Sequence, residues 1–299
     1  MKAVGADTII AGRYLVRRPL GAGGMADVVA ADDLETGETV AIKLMRDPLE
    51  DGAFDRRMLQ ELLSTAQVYH PNLVGVMDFG IVAHTRRPFF VMELLQGEDL
   101  SIHLAREGSC TADWIIPLFC DALDGLHAVH ATGIVHKDIK PANLFLDDKP
   151  NQPRRLRITD FGIARHMLRA QITQDGGLAC TPRYTAPEYL ATGTVTPASD
   201  VYQMGLVLAE AMLGWPMVAE GPFPEVMNAH ARGKLRLPAG IAGSPIGQVL
   251  RRALARHPIE RYLQASEFAA ALRELDLEAA SASIELHAAL HRRAMAAQS

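Results

Sequence analysis

The chain has 299 residues, 48% of them hydrophobic, enough to bury a sizeable core as one large or two small domains. Thirty lysines and arginines against thirty-five acids leave a formal charge of −5, with the basic residues scattered apart from pairs such as Arg17-Arg18. That balance excludes a bulk electrostatic case for nucleic acid or an anionic membrane. Cys110, Cys120 and Cys180 are widely spaced and lack histidines at metal spacing, which reads as free thiols in a reducing compartment. Residues 1–16 hold no apolar run of signal-peptide length. The most membrane-like window, 201–219, carries Gln203 and Glu210 and is interrupted by Gly214-Trp215-Pro216, which suits a buried helix better than a span. A soluble cytoplasmic protein is the expectation.

Residues 1–12 read as an arm. From Arg13 the texture is strand-like: RYLVRRPL and VVAADD alternate or run β-branched, and ETGE turns the chain into TVAIKLM. Between the first two strands lies LGAGGMADVV (20–29), where Gly21, Gly23 and Gly24 remove Cβ atoms and let backbone N–H groups approach a phosphate. It is neither a P-loop, which needs Gly-Lys-Ser/Thr feeding a helix, nor a dinucleotide strand-to-helix turn. A flexible hairpin is the plainer alternative. The segment 52–70 reads as a helix with Phe54, Met58, Leu62, Thr65 and Tyr69 on one stripe. Glu61 falls near that stripe. An inward carboxylate is costly without a cation, and Lys43 at the end of TVAIK is the candidate partner, its ammonium then aimed at phosphate oxygens. The alternative is a Glu61 at the stripe's edge that reaches water.

LVGVMDFGIV and PFFVMEL read as two further strands. After Gly97 long helical segments take over: 113–133, 199–213, 246–256 and 265–275. Strands first and helices afterwards predict two lobes hinged at 93–97. The Ala-rich residues 277–299 read as a tail able to form one weakly amphipathic helix.

HKDIKPANLFL (136–146) places one carboxylate, Asp138, between Lys137 and Lys140, with Asn143 five residues on. Such a run is often a solvated turn. Here the short strand LFL is followed by a polar turn and a returning strand, LRIT, that delivers Asp160-Phe161-Gly162. A hairpin would set Asn143 and Asp160 at neighbouring strand ends, about 5 Å apart. A carboxamide oxygen and a carboxylate so placed suit Mg²⁺ held partly by substrate phosphates. Asp138 is then free to orient an attacking hydroxyl, and Lys140 to neutralise a transferring phosphoryl group.

In order and spacing this set resembles the protein-kinase fold, specifically the eukaryotic-like (Hanks-type) serine/threonine kinases of bacteria. The matching residues are LGAGGMADV, Ala41-Ile42-Lys43, Glu61, His136 to Asn143, Asp160-Phe161-Gly162, Ala186-Pro187-Glu188, Asp200 and Arg261. The resemblance implies a bilobal α+β fold over 13–276: an N-lobe (13–95) of antiparallel sheet plus one main helix, and a mainly helical C-lobe (96–276). It implies ATP and Mg²⁺, with Lys43 on the α/β-phosphates, Asp138 as catalytic acid–base group, Lys140 beside it, and Asn143 and Asp160 as metal ligands. Leu20, Gly21, Gly23, Gly24, Val28, Ala41, Met92, Glu93, Leu95 and Phe145 would surround the nucleotide. Glu188 would pair with Arg261. Thr181 would face the substrate, and Thr173 with Lys137 would form the regulatory pair. Protein substrates and a homodimer for trans-autophosphorylation follow by the same resemblance.

Four positions depart from the pattern. Ala26 stands for the third glycine of the loop, Cys180 for the glycine before Thr181, Lys137 for an arginine, and Thr65 for an apolar residue one turn after Glu61. Those substitutions frame the rival reading, a pseudokinase serving as a nucleotide-binding or scaffolding module. Intact Lys43, Asp138 and Asp160 argue against it. A small-molecule phosphotransferase is a third reading, disfavoured by the Ala186-Pro187-Glu188 segment and the threonine loop.

Overall fold

A computed structural model describes residues 5–23, 26–48, 68–160 and 182–296, the side chains of 291–296 excepted. The segment read as the helix 52–70 therefore lies almost wholly outside the described residues. Among these, strands β1 (Ile9–Ile10), β2 (Tyr14–Ala22), β3 (Ala26–Asp33), β4 (Thr39–Met45), β5 (Val76–Ile81) and β6 (Pro88–Glu93) form one antiparallel sheet, ordered β1-β2-β3-β4-β6-β5. Alternation decides its faces. Val16, Val29, Val40, Ile42, Leu44, Phe89 and Val91 join Tyr14 in one buried cluster. Ala41 and Lys43 point the other way, toward the second lobe's side of the sheet. The arm read at 1–12 contributes more than expected: Ile10 is buried and pairs with Tyr14 as an edge strand.

The chain leaves the sheet after Glu93 and re-enters pairing at β7 (Gly97–Asp99), which joins β8 (Leu144–Asp147) and β9 (Arg155–Ile158) in a second antiparallel sheet. Gly97 is required there. Its φ is +131°, and a Cβ would fall 2.1 Å from the Leu146 carbonyl oxygen. Asp99 then caps α1 (Leu100–Glu107), accepting from the N–H groups of Ser101 and Ile102.

The helical lobe continues with α2 (Ala112–His130), α3 (Pro187–Thr192), α4 (Pro197–Leu213), α5 (Phe223–Ala231), α6 (Ala239–Ala242), α7 (Pro245–Ala253), α8 (Ala265–Arg273) and α9 (Leu277–Ala296). Helix α4 is its centre. Its first turn is set by Pro197 and by Ser199 Oγ accepting from the Thr196 N–H at 3.1 Å, its end by left-handed Gly214, and nearly every residue between is buried. Residues 201–213 of that window thus lie in a core helix that ends before Gly214, and among the described residues no helix is long and apolar enough to cross a membrane.

Residues 277–296 are a docked helix and not a loose tail. Ala280, Ile284 and Ala288 of α9 are buried in the main core, and Ser281 Oγ accepts from the N–H groups of Ala112 (3.1 Å) and Asp113 (3.3 Å) at the start of α2. Further round the lobe, fully buried Arg261 grips Glu188 through both carboxylate oxygens (2.9 and 2.8 Å) and donates to the carbonyls of Ala198, Ala255 and Arg256. Ser199 adds a hydrogen bond to Glu188 at 2.6 Å. Burial alone would raise the Glu188 pKa, but these bonds and the Arg261 charge bring it below the usual carboxylate range.

A stability test follows from this pair. Removing one partner of a buried ion pair costs about 3–5 kcal/mol, so Arg261→Met should lose that much in urea unfolding at neutral pH. For Glu188→Gln the deficit against wild type should be complete above the unfolded-state pKa of about 4.3 and shrink as pH falls toward the lower folded value. A deficit unchanged in acid would show that the Glu188 charge contributes nothing.

Candidate active site

The loop after α2 is held from below by one carboxylate. Asp200, fully buried in the first turns of α4, accepts from the backbone N–H of His136 (2.7 Å) and Lys137 (2.8 Å) and from His130 Nε2 (2.8 Å). Gln203, one turn on, accepts from the Ile139 N–H and donates to the Lys137 carbonyl. These bonds hold Lys137 in the left-handed region at φ 72°, a conformation that costs a side-chain-bearing residue about 1–2 kcal/mol. The backbone reversal there presents the next residue, Asp138. Lys140 Nζ lies 2.9 Å from Asp138 Oδ2, and the Asn143 amide donates to the Asp138 carbonyl at 2.7 Å and to Oδ2 at 3.3 Å. The acid is thus flanked by a cation and a carboxamide.

The expected hairpin is present. Leu144 pairs with Ile158 and Asp147 with Arg155, so Asn143 stands opposite Thr159, whose N–H donates to the Asn143 carbonyl. His136 ties this hairpin to the loop. The Thr159 carbonyl can only accept, so His136 Nε2 carries the proton that meets it at 2.8 Å. Its Nδ1 is then the acceptor for the Asp138 N–H, 3.3 Å away. One residue past Thr159, Asp160 adopts φ 61°, tolerable for a short polar side chain, and its Oδ1 lies 2.7 Å from Lys43 Nζ. Lys43 comes from the N-terminal sheet, so the ion pair closes the cleft between the lobes. Among the described residues Asp160 is the partner Lys43 has. Glu61, the partner read from the sequence, lies outside them.

The sheet aligns the nucleotide-side candidates. Gly21 pairs with Val28 and Val28 with Lys43, a row across three strands, while Ala41 pairs with Met92 two residues away along β4. A Cβ at Gly21 would meet no protein atom within 4 Å, so the fold does not require glycine there and the space above it is open. Leu20 is exposed beside it, and Gly23 donates to the Ala26 carbonyl. Glu93 ends β6 and Leu95 lies in the connection that follows it, while Phe145 of β8 pairs with Asp99. Among the described residues no three His, Cys, Asp or Glu side chains are grouped to hold a metal by themselves. Asn143 and Asp160 supply two hard oxygen donors, a set that fits a small divalent cation whose remaining ligands are phosphate oxygens and water.

Arg157 was not among the sequence candidates. It is buried in β9, where its guanidinium donates to the Leu73 carbonyl (2.6 Å), to Asp147 (3.2 Å) and to Glu93 of the hinge. Lys149 approaches the same two acids. The strand that delivers Asp160 is therefore bolted to the inter-lobe connection. A charged residue between Leu156 and Ile158 in a strand buried on both faces was the available signal. Gln203 and His130 were missed as well; their partners lie 64–70 residues away and leave no trace in local spacing. Gly24, Glu61, Thr65, Phe161, Gly162, Thr173, Cys180 and Thr181 lie outside the described residues.

A protein kinase domain pattern matches residues 14–243, which includes every group just described except Arg261 at its far anchor. The chain belongs to the protein kinase family. Among the proteins it resembles are bacterial serine/threonine kinases. It is 32% identical over 292 residues to a probable serine/threonine-protein kinase of Corynebacterium efficiens, covering 93% of this chain and 44% of the relative. It is 32% identical over 268 residues to the serine/threonine-protein kinase PknA of Mycobacterium tuberculosis, covering 88% and 61%. It is 34% identical to PkaA of Streptomyces coelicolor, covering 84% and 48%. The chain thus spans about half the length of these curated relatives. The crystal structure of the Mycobacterium tuberculosis PknI kinase domain superposes with a TM-score of 0.70 at 26% identity, covering 91% of this chain and 99% of that one. The bilobal α+β kinase fold expected from the motifs is the fold observed.

Arg157 gives this kinase domain a test of its hinge. Arg157→Met keeps the stem but leaves Asp147 and Glu93 without their buried partner, a loss of about 3 kcal/mol or more. A melting temperature lowered by about 6 °C or more in calorimetry is the expected outcome. An unchanged melting curve would show Lys149 alone to be a sufficient partner.

Proposed function

We propose that the chain is an ATP-dependent protein serine/threonine kinase, transferring the γ-phosphoryl group of ATP to serine or threonine hydroxyls of proteins. The observation that carries this reading is the convergence of Asp138, Lys140 and Asn143 from one loop with Asp160 and Lys43 across the cleft. In the proposed reaction the acceptor oxygen bonds to the γ-phosphorus, the bond to the β–γ bridging oxygen breaks, and ADP leaves with its electron pair. Asp138 orients the hydroxyl and takes its proton. Lys140 faces the charge on the transferring group, and Lys43 the α/β-phosphates. Mg²⁺ on Asn143 and Asp160 would neutralise phosphate charge. Catalysis on this reading is positioning plus electrostatics.

The same proposal places Met92 at the back of the purine site. Glu93 and Leu95 offer backbone groups to adenine, and Val28, Ala41 and Phe145 sandwich the ring beneath Leu20 and the loop of Gly21, Gly23 and Gly24. Glu61 and Thr181 keep the roles the resemblance gives them. A cytoplasmic location for this domain and autophosphorylation in trans within a homodimer belong to the proposal too.

Asp160→Asn and Asp138→Asn should each remove at least about nine-tenths of the turnover with labelled ATP and Mg²⁺, a barrier increase above about 1.4 kcal/mol. Lys43→Met should do the same while remaining folded. Retention of more than a tenth by either aspartate variant would refute its assigned role.

Regulation adds a second test. Thr173, eight residues before Thr181, is the proposed autophosphorylation site, and Lys137 would meet its phosphate as a point charge without arginine's bidentate fork. Initial rates of wild type, Thr173→Ala, Lys137→Arg and the double variant form a cycle. Lys137→Arg should raise activity only in phosphorylated enzyme that retains Thr173. Equal rates in all four would uncouple the two residues.

A further inference from the structure

One buried histidine is not used by the chemistry above. His230, in α5, is fully buried, yet both ring nitrogens have polar partners. Nδ1 lies 2.8 Å from the hydroxyl of Tyr202 in α4, and Nε2 lies 3.0 Å from the carbonyl oxygen of Pro182. A carbonyl can only accept, so Nε2 bears the hydrogen and Nδ1 receives the Tyr202 hydroxyl proton. The direction of the relay is fixed: Tyr202 donates to His230, and His230 donates to Pro182. Burial lowers the ring's pKa to about 4, against the pull of the backbone contacts at Pro182 and Arg183, so the ring is neutral in this relay near pH 7. The Arg261 guanidinium lies over the Tyr202 ring, 4.6 Å from its centre.

Pro182 opens the short 3-10 turn Pro182–Tyr184. The next two residues wall a cavity of about 540 Å³ whose opposite side is Leu104 of α1 and whose inner edge is Lys140 and Pro141 of the catalytic loop. Lys140 is the residue 2.9 Å from Asp138, so this cavity adjoins the acid. At its floor Tyr184 donates to Glu210 at 2.7 Å, and burial raises the Glu210 pKa in spite of that bond. Arg183 reaches outward to exposed Glu220 at 3.3 Å. In the phosphotransfer reading, this wall borders the space beside Asp138 to which the acceptor polypeptide brings its hydroxyl.

We infer that His230 is a positioning residue for the acceptor polypeptide: by donating to the Pro182 carbonyl it fixes the Arg183–Tyr184 wall of the cavity beside Asp138. The inference rests on the phosphotransfer reading. The histidine touches neither nucleotide-side residues nor the reacting groups. Its loss therefore acts on acceptor affinity and leaves the ATP side alone.

The two amide residues separate this role from simple core filling. Glutamine places its amide nitrogen where Nε2 stands and keeps the donor to Pro182; asparagine reaches only the Nδ1 position. With a degenerate serine/threonine peptide mixture as acceptor, His230→Asn should raise the apparent KM for peptide by about fivefold or more, with the KM for ATP and kcat within about twofold of wild type. His230→Gln should restore the peptide KM to within about twofold. Tyr202→Phe removes the group that fixes the ring's orientation and should shift the peptide KM in the same direction as His230→Asn. It keeps the test decisive if the asparagine variant does not fold. Equal peptide KM values for His230→Asn, His230→Gln and wild type would overturn the role of His230. Where His230→Asn does not fold, equal values for Tyr202→Phe and wild type would overturn it instead. No transfer by the wild type to the mixture or to itself would overturn the phosphotransfer reading.

Discussion

A carboxylate can be taken out of water only when its lone pairs are filled by donors, and Asp200 is completely buried. Its donors are two consecutive backbone N–H groups of the loop that carries Asp138 and the ring of His130. This arrangement works in both directions. The loop satisfies the acid, and the acid forces Lys137 into a left-handed turn that Asp138 follows. Because Asp200 sits on α4, itself enclosed by the main core, the reactive loop takes its position from the most enclosed helix of the lobe. Everything downstream depends on that seat: the Lys140 contact, the Asn143 amide, and the His136 bridge that aligns Asp160 with Lys43.

Two buried arginines extend the same logic. Arg261 joins Glu188 to three backbone carbonyls, and Arg157 joins a hinge carboxylate to a carbonyl and to Asp147. In each case one planar guanidinium meets acceptors from separate segments, geometry a lysine ammonium does not reproduce. Neither arginine approaches the reacting groups. One fixes the helical lobe, and the other ties the hinge to the strand before Asp160.

The elements legible in the sequence are those whose local pattern matched their final surroundings. TVAIKLM forms β4 at the residues read, because its alternation reports one buried face, and LFL with LRIT gives the hairpin that places Asn143 opposite Thr159. Helix α1 was not resolved from its neighbours: it is short, only Leu100 is buried, and its start is set by Asp99 capping rather than by a stripe. Helices α3, α5 and α6 are similarly brief and escaped notice. Site residues with a local signature, such as Asp138 and Asp160, could be named from order and spacing. Gln203, His130 and Arg157 could not, since their partners are brought near only by tertiary packing.

The seat of Ser281 ties the two ends of the helical lobe together. Thr111, at the N-cap position of α2, makes no side-chain cap, and the first amides of that helix are met by a hydroxyl 169 residues downstream. A nascent chain emerges N-terminus first, so α2, the helix that leads into His136 and Asp138, is synthesised long before its cap exists. The order of the chain thus separates the two: His136 and Asp138 come early, and the lock on the helix behind them comes with Ser281.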